Sequence, residues 1–314
     1  MLNRRLLRIK VLHALYAYFQ DGSKDFKNKE SYLRNIIRKV EEEYLFLLRL
    51  PLEIKHYVEN EQNPEEVLYV PTKADIETGH TFIYNKILLK LEESKVISSK
   101  TDKLIGNWSA QKDIMRILFN GFKSSDYFKQ YISKPYPGFL EQKKLMLNFF
   151  KDFLPENEEL KTMMEELYLG WNDDMKAVFN ALGRTVDLIK EDSETIVLVP
   201  LSETYDEDME FSLELFKNTI QRSEELTEMI GIRTKKWDTE RIAEIDMLLM
   251  QMALTEMLDF SSIPLKVTIN EYLEIAKIYS TPKSSNFLNG ILDKQMNELK
   301  SKGLITKTGR GLVE

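Results

Sequence analysis

Cysteine is absent from the 314 residues, and histidine occurs only at His13, His56 and His80, far apart in the chain. A zinc site needs thiolates or imidazoles at ligand spacing, and none can be assembled from that set. A cysteine thiolate nucleophile is excluded outright. No Gly-x-Gly-x-x-Gly or Walker-type loop appears, which removes the usual phosphate cradles of nucleotide enzymes. Acid pairs such as Asp173-Asp174 or the run Glu41-Glu42-Glu43 read as solvated helix faces. With 12 glycines and 9 prolines there is little material for a many-turned β fold. No apolar run reaches the roughly 18 residues of a membrane-crossing helix, and the N-terminus lacks the apolar core of a signal peptide. These absences point to a helical, non-catalytic protein of the cytoplasm, with no cofactor, no metal and no membrane partner.

Charge is modest in sum but unevenly placed. A net charge of −7 argues against a non-specific nucleic-acid coat. The first 20 residues nevertheless hold Arg4, Arg5, Arg8 and Lys10 and no acid. Between Asp187 and Glu210 stand nine acids against Lys190 alone, and Lys300, Lys302, Lys307 and Arg310 make the end basic again. A local basic patch on an acidic body suits oriented rather than indiscriminate binding.

Residues 3 to 19 read as a helix that places Arg4, Arg5 and Arg8 within an arc of about 100°. Cations in a first turn oppose the helix macrodipole, so something other than helix stability favours them, and phosphate binding is the candidate. Beyond Lys10 this helix is apolar nearly all round, and its second half is expected to be buried. Tyr32, Leu33, Ile36, Ile37, Val40, Tyr44, Leu47 and Leu48 make a second, amphipathic helix expected to end at Pro51. Helical patterns continue over about 73–98, 111–133, 139–153 and 157–189. Thr195 to Val199 reads as a short strand or a buried extended connection.

The last third carries the densest pattern. Phe211, Leu213, Leu215, Phe216 and Ile220 begin a helix that Leu226, Met229 and Ile230 continue, with Gly231 able to cap it. An apolar helix follows from Trp237 to Glu256, N-capped by Asp238 or Thr239. Its methionines at 247, 250 and 252, with Met257 just beyond, read as core filling. Pro264 starts the next helix, on which Val267, Ile269, Tyr272, Leu273, Ile275, Ala276 and Tyr279 recur at helical spacing. Pro282 separates it from a last helix with Ser284 or Ser285 as N-cap. There Phe287, Leu288, Ile291, Leu292, Met296 and Leu299 occupy one half of the wheel; Asn286, Asn289, Gly290, Asp293 and Asn297 occupy the other. A mid-helix glycine costs about 1 kcal/mol against alanine, so Gly290 is expected to admit a closely packed backbone.

The stretch Ile263-Pro-Leu-Lys-Val-Thr-Ile-Asn-Glu-Tyr-Leu-Glu-Ile-Ala-Lys277, followed by Ser284-Ser-Asn-Phe-Leu-Asn-Gly-Ile-Leu-Asp-Lys294, resembles in order and spacing the C-terminal signature of the NusB transcription antitermination factors. Arg4-Arg-Leu-Leu-Arg-Ile-Lys-Val-Leu-His-Ala-Leu-Tyr16 resembles that family's opening, with His13 where the family has glutamine. The resemblance implies an all-α, NusB-like helical bundle with a large helical insertion between the first helix and the C-terminal helices. Residues 1–20 would be its basic N-terminal helix, 21–204 the insertion or diverged region, 205–302 the C-terminal helical domain and 303–314 a tail.

It further implies an RNA-binding antitermination factor rather than an enzyme. Single-stranded RNA of the boxA type would be held by Arg4, Arg5, Arg8, Tyr279, Lys283, Ser284, Phe287 and Asn289, with the two aromatics stacking on bases. Tyr279 stands for the family's usual phenylalanine, and Lys283 for an acid. Asp246 would grip a NusE-type small-subunit ribosomal protein, and the pair would reach the RNA polymerase elongation complex indirectly. NusB-like domains also occur fused to ribosomal-RNA cytosine methyltransferases, but those enzymes need the cysteine that this chain lacks. Two other readings are an RNA-binding ribosome-assembly factor and a helical interaction scaffold without RNA binding.

Overall fold

Pro51 is the first surprise of the architecture, because the helix expected to stop there runs through it. The computed structural model describes residues 1–22, 24–61, 81–101, 108–134, 136–233, 242–281 and 283–312. In it α1 spans Arg4–Gln20 and α2 spans Phe26–Glu61 with Pro51 inside. A proline in a helix interior costs about 3 kcal/mol or more. Leu47, Leu48, Leu50 and Ile54 around it are all fully buried. Each such side chain is worth about 1.5–3 kcal/mol, so packing outweighs the break.

The chain divides into two compact units: Arg38–Glu203 with Met1, and Leu2–Ile37 with Thr204–Glu314. Among the described residues the first holds most of α2 and the helices α3 (Lys86–Glu93), α4 (Lys95–Thr101), α5 (Lys112–Ser124), α6 (Asp126–Ile132), α7 (Phe139–Asn148), α8 (Glu158–Leu167) and α9 (Trp171–Leu188). These are shorter than the sequence pattern suggested, and side chains explain most of the breaks. Asn85 and Ser125 accept hydrogen bonds from the amides of Ile87 and Phe128, each starting a new helix where the apolar period alone runs on, and Asn157 does the same for Leu160 where a helix was expected to begin. Thr195–Val199 is neither helix nor strand; it is a connection with Ile196 and Val199 buried and Val197 exposed. The core is strongly aromatic, with Phe82, Phe122 and Phe128 in mutual ring contact, Phe149 edge-on to Phe122, and Trp108 stacked on Phe46 at 4.3 Å.

In the second unit α10 (Tyr205–Gln221), α11 (Ser223–Arg233), α12 (Glu244–Asp259), α13 (Leu265–Tyr279) and α14 (Ser284–Ser301) join α1 and the start of α2. Helix α12 is apolar all round and is packed on all sides, by α1, α10, α11, α13 and α14. Met250, Met252 and Met257 are fully buried and Met247 packs at the core's edge, the filling role expected of them. Helix α11 runs through Gly231 rather than ending there. The segment before α12, including Trp237 and the cap expected at Asp238 or Thr239, lies outside the described residues, as do His80 and Pro282. No strand occurs among the described residues, and none of their helices is long and apolar enough to cross a membrane.

Candidate nucleic-acid interface

The three N-terminal arginines share a helix but not an environment. Asn3 caps α1 by accepting from the Leu6 amide, which fixes where the first turn starts. Burial runs from Leu6 to Leu15, His13 excepted; of the second half expected to be buried, Val11, Leu12, Ala14 and Leu15 are, while burial relaxes from Tyr16 onward. Arg4 remains exposed, 3.5 Å from the Asp208 carboxylate and 4.3 Å above the Phe211 ring. Arg5 is half-exposed and grips Glu271 with two hydrogen bonds of 2.9 Å. That grip raises its pKa, chiefly through the hydrogen bond to Glu271.

Arg8 is 1% exposed, and the expectation that it faces a ligand is corrected here. Its guanidinium donates to both oxygens of the fully buried Glu256, at 2.7 and 2.8 Å. Glu256 also accepts from Thr268 Oγ1 at 2.7 Å and from Tyr272 Oη at 3.2 Å. Burial works against the Arg8 charge, but the Glu256 carboxylate outweighs it and holds the guanidinium above its ordinary pKa. Burial, then the Glu256 charge, pushes the Tyr272 phenol well up. Arg8 therefore ties α1 to α12 and α13. Glu256, Glu271 and Asp208, which the sequence pattern did not single out, are the counter-charges that the arginines answer to. An acid inside the otherwise apolar run of α12 was the available signal for Glu256.

The second set of expected contacts gathers where α13 meets α14. Ser284 is the first residue of α14 rather than its cap; its buried hydroxyl bonds to Ser280 at 2.8 Å and Thr281 at 2.9 Å and closes the corner. Lys283, the residue before the helix, is exposed. Tyr279 and Phe287 are half-buried at the edge of the core, with His13 meeting the Tyr279 ring edge-on at 5.4 Å. Asn289 is half-buried, while Asn286 and Gly290 are exposed. A side chain added at Gly290 would meet nothing within 4 Å, so the close backbone expected there is not found among the described residues.

Arg5 lies beside Glu271 and His13 beside Tyr279, so α1 and α13 run side by side in one direction. The eight-residue offset along α13 separates the arginine end from the aromatic corner by about 12 Å. The expected contacts thus form two clusters at the ends of one stripe. Asp246 belongs to neither. It is 5% exposed, and its Oδ1 is buried with no hydrogen-bond partner among the described residues.

Comparison with known proteins finds relatives for part of the chain. The sequence model of the NusB family matches residues 175–297, from α9 into α14. The chain is 43% identical over 118 residues to the transcription antitermination protein NusB of Salinibacter ruber, covering 38% of this chain and 73% of that protein. It is 47% identical over 105 residues to the protein of that name from Chloroherpeton thalassium, covering 33% and 50% of the two chains. The Desulforamulus reducens protein is 40% identical over 91 residues, covering 29% and 64%. No solved structure matches.

Proposed function

The chain belongs to the NusB family, and on that premise we propose that it is a non-catalytic transcription antitermination factor. In this reading it binds a boxA-type single-stranded RNA together with a NusE-type small-subunit ribosomal protein and reaches the RNA polymerase elongation complex through that pair. The relatives are named as transcription antitermination proteins, which supports the general role.

The observation that carries the finer reading is the α13–α14 corner. Two half-buried aromatic rings, Tyr279 and Phe287, flank the exposed Lys283 on a turn held rigid by three hydroxyls. Unpaired bases bind by stacking on such rings, worth about 1–3 kcal/mol per base, while a lysine meets the phosphates. Arg4 and Arg5, at the other end of the stripe, extend the path for the RNA backbone. Arg8 touches neither ligand in this scheme, and Asp246 is the residue assigned to the ribosomal protein.

The test is photo-crosslinking of the purified chain to a thiouridine-containing boxA-type RNA, with and without the ribosomal protein, mapped to residues. Crosslinks at Tyr279, Phe287 and their neighbours are expected, strengthened by the partner. Crosslinks confined to Arg38–Glu203, or none, would overturn the reading.

A further inference from the structure

Beside the arginine end of α1 the second unit holds an open groove of about 1000 Å³. Its apolar floor is Phe211, Phe260, Ile263 and Val267, the last 45% exposed. One wall is the row Glu207, Glu210 and Glu214, spaced three and four residues apart and therefore on one face of α10. The row is about 10 Å long. The cations lining the groove are already matched: Arg4 by Asp208, Arg5 by Glu271 and Arg8 by Glu256. The three glutamates are exposed and have no ion pair among the described residues. A concave apolar surface edged by uncompensated charge of one sign focuses its field on ligands of the opposite sign.

We propose that this groove docks a basic protein segment, one that sets lysine or arginine side chains against Glu207, Glu210 and Glu214 and an aliphatic side chain against Val267. The charge of the wall decides the class of occupant, because a phosphate backbone would meet three unneutralised carboxylates there. The surface is distinct from the aromatic corner proposed for RNA but shares Arg4 and Arg5 with the proposed RNA path, so peptide and RNA meet at that end of the stripe.

The experiment is fluorescence anisotropy of a labelled synthetic peptide, with leucines and lysines at helical spacing, titrated with the intact chain at low salt. One variant carries Glu207→Gln, Glu210→Gln and Glu214→Gln. A second carries Glu224→Gln, Glu225→Gln and Glu228→Gln, equal in charge but on exposed positions of α11 away from the groove. The groove variant should bind about tenfold more weakly or worse, with the α11 variant within about twofold of the parent. Val267→Ser should weaken binding even at higher salt. Equal losses in the two triple variants would reduce the effect to diffuse charge attraction and overturn the proposal, as would no binding by the parent. If single-stranded RNA displaces the peptide, and Val267→Ser weakens RNA as much as peptide, the groove is a nucleic-acid site and the proposal also fails.

Discussion

Arg8 shows how far a single side chain can depart from what its neighbours in sequence suggest. Its position in a basic first turn was legible, and so was the oddity of cations there. Its partners were not, because Glu256 lies 248 residues away and Glu271 is equally remote from Arg5, at 266 residues. Removing one member of a buried, hydrogen-bonded ion pair costs about 3–5 kcal/mol, since the other charge is left uncompensated. Arg8→Ala should therefore lower folding stability by about that amount, read as a shift in denaturant midpoint. Arg4→Ala, at an exposed pair, should cost less than about 1 kcal/mol. Equal, small losses would mean that the Arg8–Glu256 pair does not hold the helices.

Among the helices, type was far easier to read than extent. Apolar periodicity located α1, α10, α13 and α14, and the methionines of α12 were recognised as core. It failed at Pro51, where burial on both sides overrides the breaker, and at Asn85 and Ser125, where caps cut a continuous period. The candidate site followed the same division. The Tyr279–Phe287 corner could be read from local sequence, whereas the separation of the arginines depends on which helix packs where. Gly290 offers a test on α14. With open space around it, Gly290→Ala should stabilise the protein by about 0.5–1 kcal/mol through the entropy of the unfolded chain and helix propensity. Stability gained with RNA and partner binding intact would show a free surface. A gain accompanied by weaker binding would place a ligand backbone against this glycine.

For the whole molecule, buried phenols give both units a common alkaline limit. Burial raises Tyr44 and Tyr131 to about 12 and Tyr168 further in the first unit. In the second, burial raises Tyr272 well above its ordinary value. Each folded pKa lies above the unfolded value of about 10, so the stabilisation is complete below that pH and is lost as pH rises through 10 toward 12. Denaturant midpoints should be flat to about pH 9 and fall beyond pH 10, with Tyr44→Phe reducing the fall. A midpoint unchanged to pH 11 would contradict the burial of these hydroxyls. The first unit was readable only as helical: residues 38–174 precede the family match, and no local motif announced the packing of its phenylalanines.

The central claim, that this member of the NusB family holds single-stranded RNA between the α1 arginines and the α13–α14 corner, is tested most directly by the salt dependence of binding. Titrating a labelled boxA-type RNA at several salt concentrations should give an affinity that falls linearly on logarithmic axes. Replacing Arg4, Arg5 and Lys283 by alanine should flatten the slope by about 0.7 for each phosphate left without its cation. An unchanged slope in that variant with its fold intact, or no RNA binding by the parent at low salt, would contradict the account.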